Sequence, residues 1–192
     1  MKRTNYNPVY ILCGGKSSRM KAEKGLVNFR GKPFVQHIIE TAKKITDEIY
    51  LVTKNEEYQK FGLPLIPDLY LGQGPLAGIH AALNHTTADA VLILSCDIPL
   101  LATEVLDEII SVHELNPGQL LLASGKDQKQ PLIAMYPRIL LDEITSRLEK
   151  GHNKLLDFVN AVTHTVVDIT DERAVQNINT PEALINIEND ES

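Results

Sequence analysis

Long hydrophobic runs are missing from this chain of 192 residues. No stretch of roughly 18 or more apolar residues occurs, so no membrane-spanning helix is expected. Cysteine is scarce: Cys13 and Cys96 stand far apart, without Cys-x-x-Cys spacing. That argues against a zinc site or a disulfide framework and suits a reducing cytoplasm. Positive charge is not in excess. Lys and Arg number 19 against 25 Asp and Glu, the formal net charge is -6, and there is no basic block. A nucleic-acid partner, which needs a broad cationic face, is therefore not expected; a nucleotide, which needs only a few local cations, stays open. The histidines show no metal-ligand spacing, and neither a Gly-x-Ser-x-Gly elbow nor a Cys/His nucleophile pair is present. Met1 to Pro8 lacks the apolar core of an export signal. With no repeat, low-complexity tract or linker, a single domain over residues 1–192 is expected, flexible at 1–7 and 188–192.

What is present is a strand running into glycines and cations. Val9, Tyr10, Ile11 and Leu12 form an apolar run suited to a strand buried on both faces. It breaks into Gly14-Gly15, followed by Lys16, Ser17, Ser18, Arg19 and Lys24. Glycines remove the side chains that would keep a ligand away, and amides with clustered cations make a cradle for a polyphosphate; a structural turn with surface lysines is the alternative reading. Two known phosphate loops are excluded by counting. A P-loop would need glycine where Tyr10 stands, and the dinucleotide fingerprint would need it at Lys16.

Short apolar runs then alternate with helical patterns, which predicts an α/β fold with a mostly parallel sheet and helices on both faces. Gly31-Lys32-Pro33 opens a helix with Val35, Ile38, Ile39, Ala42 and Ile45 on one stripe. Strands are expected at Glu48 to Thr53, Leu65 to Asp68, Ala88 to Cys96, Leu120 to Ser124, Pro131 to Tyr136 and Thr165 to Asp168. Helices are expected from Leu76, over Thr103 to Leu115, Ile139 to Leu148, Asn153 to Ala161 and Pro181 to Ile187.

Asp97 directly follows the most hydrophobic strand. A carboxylate there is costly unless something pairs with it. Ligands of open α/β sheets bind beyond the carboxyl ends of strands, where the glycine loop also lies. A hard carboxylate beside a triphosphate is what Mg2+ takes; a turn or cap role before Pro99 is the alternative. Asp68 ends a shorter strand in the same way, with nucleotide positioning and a simple turn as its two readings.

The run Leu12-Cys13-Gly14-Gly15-Lys16-Ser17-Ser18-Arg19-Met20 with Lys24-Gly25-Leu26 closely resembles the signature of the molybdenum cofactor guanylyltransferases. These are members of the nucleotidyltransferase superfamily, which has a Rossmann-like fold. The resemblance continues through Gly31-Lys32-Pro33, Gly74-Pro75-Leu76-Ala77-Gly78, Cys96-Asp97-Ile98-Pro99 and Asn177-Ile178-Asn179-Thr180-Pro181-Glu182. It implies transfer of GMP from GTP to molybdopterin with release of diphosphate, and a CTP-dependent or sugar-phosphate relative is the alternative. The nucleotide would be held by the backbone from Leu12 to Gly14, with Gly15 and Gly78 beside it. Lys24 would contact phosphates, with Lys16 and Arg19 absorbing charge on the leaving group. Asp68 would help bind GTP, Asp97 would bind Mg2+ and nucleotide, and Asn177 and Asn179 would lie on the molybdopterin side. Transient contact with molybdopterin-biosynthesis proteins and molybdoenzymes is also implied. The chain departs from the family pattern at Cys13 (usually Ala), Lys21 (usually Gly) and Glu23 (usually Asp). Thr53 stands near a position where some members carry a base-contacting Asn, with Asn55 two residues on.

Overall fold

The computed structural model describes residues 7–14, 16–17, 22–126 and 128–189; the side chains of residues 16, 17, 22, 181, 188 and 189 fall outside that description. The expected flexible ends lie largely beyond these bounds. The strands, in chain order, are β1 (Val9–Leu12), β2 (Lys16–Ser17), β3 (Ala22–Glu23), β4 (Asn28–Phe29), β5 (Lys32–Pro33), β6 (Ile49–Val52), β7 (Leu65–Ile66), β8 (Ala90–Ser95), β9 (Leu120–Gly125), β10 (Gln128–Pro137) and β11 (His164–Asp168). The α-helices are α1 (Phe34–Ala42), α2 (Gly74–His85), α3 (Thr103–Leu115), α4 (Leu141–Glu149), α5 (Leu155–Ala161) and α6 (Pro181–Asn189).

Seven strands form one sheet in the order β11-β9-β10-β8-β1-β6-β7. All run the same way except β10, which pairs antiparallel with both neighbours. From β1 the chain crosses through α1 to β6 and β7, then returns through α2 to β8 on the other side of β1. The winding direction therefore reverses between β1 and β8. Crevices at such a reversal, beyond the carboxyl ends of the strands, are where open α/β sheets bind ligands.

Strand alternation divides the core into two layers. Val9, Ile11 and Cys13 face α1 and α3, meeting Val35, Ile38, Leu106 and Ile109. Tyr10 and Leu12 face α2, α4 and α5, meeting Leu76, Ile79, Leu83, Ile144 and Phe158. Every residue of β1 and β8 is buried, as the continuous apolar runs required. A third, small cluster joins Phe29, Phe34 and Ile178 to α6.

Three local departures from the sequence expectations have simple causes. Lys32 and Pro33 do not begin the helix; they pair with Asn28 and Phe29 across the turn Arg30-Gly31, both at positive φ, and α1 starts at Phe34. The strand expected from Pro131 begins at Gln128, because Gln128 to Gln130 pair with β9 before a register shift. The helices expected from Ile139 and Asn153 start later, at Leu141 after a 3-10 turn and at Leu155. Thr180 caps α6 by accepting from the Ala183 N–H at 3.1 Å.

His80 on α2 is 5% exposed, edge-on to Tyr70, and its Nδ1 has no hydrogen-bond partner. Burial pushes its pKa below the ordinary histidine value. Above the unfolded value, about 6.5, both states are neutral and His80 has no effect on stability. Below it the unfolded chain binds a proton that the folded chain refuses, so stability falls with pH. The thermal midpoint should therefore drop between about pH 7.5 and about pH 5.5, and drop less in His80→Phe. Equal drops in the two proteins would remove His80 from the account.

Candidate active site

A cavity of about 570 Å³ opens at the winding reversal. Its floor is the carboxyl end of the sheet on the α2 side: Leu12 from β1, Val52 from β6 and Ser95 from β8. Four adjacent strand ends contribute polar groups in sheet order. Asp97 follows β8, Gly14 follows β1, Thr53 and Lys54 follow β6, and Asp68 follows β7. With strands about 4.8 Å apart, these ends span roughly 14 Å. The first turn of α2 closes one wall with Gly74, Pro75 and Gly78, and Leu132 of β10 adds an apolar side.

Each glycine here has a distinct reason. A Cβ on Gly14 would meet no protein atom within 4 Å, so glycine at this position leaves room in the cavity rather than relieving a clash. Gly72 and Gly74 sit at φ 72 and 70, turning the chain from β7 into α2. A Cβ on Gly78 would lie 3.1 Å from the Leu12 side chain, so glycine lets α2 approach β1.

Asp97 is 7% exposed. Lys24 Nζ donates to its Oδ2 at 2.9 Å, and Ser95 Oγ donates to its Oδ1 at 2.5 Å. The Lys24 ammonium also donates to Asn179 Oδ1 at 2.5 Å, and the Ile178 N–H donates to the Asp97 carbonyl at 2.8 Å. Three stretches of chain, around residues 24, 95–97 and 178–179, therefore meet at Asp97. Across the cavity a second pair forms between Lys54 Nζ and Asp68 Oδ1 at 3.6 Å.

The expected site residues separate clearly. Leu12, Gly14, Lys24, Asp68, Gly78 and Asp97 all border the cavity. Asn179 stands against Lys24, whereas Asn177 is exposed and away from the cavity wall. Gly15 and Arg19 lie outside the described residues, as does the side chain of Lys16. Cys13 does not border the cavity. Strand alternation turns its side chain to the α1 face, fully buried. Its N–H donates to the Val52 carbonyl, and its carbonyl accepts from the Tyr58 hydroxyl. Burial, with the Cys96 thiol beside it, pushes its thiol well above the ordinary range, so it stays protonated and unreactive. The Leu12 carbonyl likewise accepts from the Cys96 N–H. From this stretch, the Leu12 side chain and Gly14 are what face the cavity.

Sequence reasoning passed over Ser95, Lys54 and Tyr58. Ser95 carried a usable signal, being two residues from a strand-end acid. Asn55 is not part of the wall: its Oδ1 accepts from the Glu57 N–H and caps the 3-10 turn Glu56–Phe61.

Asp97 supplies a hard oxygen donor at the cavity edge. Among the described residues no group of three or more His, Cys, Asp or Glu could hold a metal unaided. That donor set fits an ion such as Mg2+, which takes one or two carboxylates and completes its shell with phosphate oxygens and water.

A profile of the MobA-like NTP transferase domain matches residues 9–166. A probable molybdenum cofactor guanylyltransferase of Flavobacterium johnsoniae is 44% identical over 177 residues, covering 91% of this chain and 93% of that protein. A molybdenum cofactor guanylyltransferase of a Shewanella species is 34% identical, covering 90% of each. Among solved structures, molybdopterin-guanine dinucleotide biosynthesis protein A from Archaeoglobus fulgidus superposes with a TM-score of 0.81 at 26% identity, over 95% of this chain and 97% of that one.

Gly25 follows Lys24 and lies against Tyr58: a Cβ there would come within 2.5 Å of the hydroxyl. Gly25→Ala should destabilise the protein by about 1–3 kcal/mol through this overpacking. The double variant with Tyr58→Phe should cost less than the two single losses added. Urea unfolding of the four proteins measures this; strict additivity would mean that the two residues do not clash.

Proposed function

The chain belongs to the MobA-like NTP transferase family, and from that premise we propose that it is a molybdenum cofactor guanylyltransferase, moving GMP from GTP to molybdopterin. The terminal phosphate of molybdopterin forms the new bond to the α-phosphorus of GTP, and the bond to the leaving diphosphate breaks. The observation that supports this most directly is the Lys24–Asp97 pair, set beside Gly14 at the adjoining ends of β1 and β8.

A phosphate nucleophile is already anionic near neutral pH, so the reaction needs no general base. The work left to the protein is positioning and charge compensation. Mg2+ arriving with the nucleotide would be held by Asp97 and would neutralise phosphate charge. On nucleotide binding, Lys24 exchanges the Asp97 carboxylate for phosphate oxygens, while Asn179 keeps hold of its ammonium. Ser95 fixes the orientation of the Asp97 carboxylate from below. Gly14 leaves space for the phosphate chain, and Gly78 brings the α2 N-terminus close, whose partial positive charge favours an anion. In this reading Lys16 and Arg19 add positive charge at the leaving group, and Asn177 with Asn179 faces the pterin substrate. We read residues 1–192 as one nucleotidyltransferase domain, and the enzyme as cytoplasmic. The buried free thiols Cys13 and Cys96 accord with a reducing compartment, and no described helix is long and apolar enough to cross a membrane. Contacts with molybdopterin-biosynthesis proteins and molybdoenzymes would be transient.

The test is diphosphate release from GTP or CTP in the presence of Mg2+ and molybdopterin. Release with GTP and little with CTP is expected. Lys24→Ala and Asp97→Ala should each lower kcat about a hundredfold or more, the usual loss for one electrostatic contact to a transition state. Both variants should still unfold cooperatively. Turnover close to wild type in either folded variant would overturn the assignment of that residue.

A further inference from the structure

The cavity holds two cation–acid pairs of different character. Lys24–Asp97 is the shorter and drier: 2.9 Å apart, with side chains 26% and 10% exposed. Lys54–Asp68 is longer and wetter: 3.6 Å apart, at 46% and 31%. The first sits with Gly14 and the close-packed start of α2, which suits phosphates and a hard cation. The second lies two strands further along the sheet, at the ends of β6 and β7. The roughly 14 Å between β8 and β7 is enough for a phosphate chain at one end and a base at the other. The base end then carries one ammonium and one carboxylate side by side.

Among the common bases this combination matches guanine, whose edge presents an acceptor, O6, next to two donors, N1–H and the N2 amino group. Adenine and cytosine each put a donor where guanine has O6. A lysine facing that position would leave two donors opposed and unpaired, which costs more than a missing bond. Two other polar side chains near the base end already have their oxygens engaged locally. The Asn55 carbonyl oxygen caps the 3-10 turn, and the Thr53 hydroxyl accepts from the Asn55 N–H.

We propose that Lys54 is the residue that selects guanine: its ammonium donates to O6 while Asp68 accepts from N1–H and the N2 amino group. The proposal rests on the guanylyl-transfer reading above. The ion pair matters to it in two ways. Asp68 holds the Lys54 ammonium over the cavity instead of leaving it in solvent. In turn the lysine holds the Asp68 carboxylate turned toward the base. When guanine enters between them, the 3.6 Å gap, too long for a hydrogen bond, is replaced by direct contacts to the base.

A cycle between protein and ligand tests this by equilibrium nucleotide binding with Mg2+ and without molybdopterin. The ligands are GTP, the triphosphate of 2-aminopurine riboside, which lacks both O6 and the N1–H but keeps the N2 amino group, and CTP. The proteins are wild type, Lys54→Met, which keeps most of the stem, and Lys54→Arg. Wild type should bind GTP at least about a hundredfold more tightly than the analogue, which forgoes two hydrogen bonds to charged groups. Lys54→Met should shrink that preference about ten- to a hundredfold, by weakening GTP alone; the part that remains is the Asp68 contact to N1–H. Lys54→Arg should keep the preference for GTP. If Lys54→Met weakens all three nucleotides alike, Lys54 grips phosphate or ribose and the proposal is wrong; it is equally wrong if the variant keeps the wild-type preference. Wild type binding CTP as tightly as GTP would overturn the guanylyl reading itself, whereas a preference for GTP over the analogue that is unchanged in Lys54→Met sinks only the role of Lys54.

Discussion

A carboxylate at the end of a completely buried strand is the constraint on which this site is built. Asp97 follows β8, all of whose residues are buried, and is itself 7% exposed. Such a charge would be intolerable without partners. Lys24 and Ser95 take its two oxygens, and Ile178 takes its carbonyl. Removing one member of a buried pair typically costs about 3–5 kcal/mol; with Lys24 about a quarter exposed, the lower end of that range applies here. In the guanylyl-transfer reading the same arrangement prepares the site for its substrate. A lysine already drawn to an acid at the cavity edge needs only a small displacement to meet a phosphate. The acid it leaves is then free to meet a cation.

Which residues reach the cavity is settled by strand alternation. Leu12 and Cys13 are neighbours in the first glycine motif, yet they face opposite layers of the sheet. Leu12 lies under α2 and the cavity; Cys13 lies under α1 and Tyr58. The cysteine that departs from the usual alanine of the family is therefore a packing residue. Its backbone groups are spent on Val52 and Tyr58, which hold the end of β1 rigid where Gly14 begins. Gly25 belongs to the same arrangement, because only a residue without Cβ lets Tyr58 stand between β1 and Lys24.

The parts of this architecture that are legible in the sequence are those controlled by local pattern. Continuous apolar runs mark β1 and β8, and an apolar stripe marks α1. The acids after β7 and β8 fall at the carboxyl edge of the sheet by strand pattern alone. The rest depends on distance in the chain. No periodicity reveals that β10 inserts between β8 and β9, or that it starts three residues early through a register shift. The pairing of Asn28 and Phe29 with Lys32 and Pro33 turns on Arg30 at φ 50, which is not a residue that announces a left-handed turn. Lys54 reads as an ordinary surface lysine until β7 brings Asp68 beside it. Asn55, the more inviting polar residue, is claimed by a local cap.

The long-range step with the most chemistry in it is the return of residues 177–180 to the first loop, 155 residues away by the Lys24–Asn179 contact. Sequence pattern alone does not require it; a small apolar cluster does. Ile178 is fully buried with Phe29 and Phe34, and α6 adds Leu184 and Ile187 to its edge. Because Ile178 is flanked by two asparagines, anchoring it fixes where their amides stand, and one lands on Lys24. In the guanylyl-transfer reading, this contact places the acceptor side against the lysine that holds the nucleotide. In that reading the attacking phosphate and the α-phosphorus would meet beside Asp97, because the hydrophobic cluster that seats Ile178 also holds Phe29 and Phe34, just after Lys24 in the chain. Positioning, on which a reaction without a general base depends, is thus supplied by packing outside the cavity rather than by groups within it.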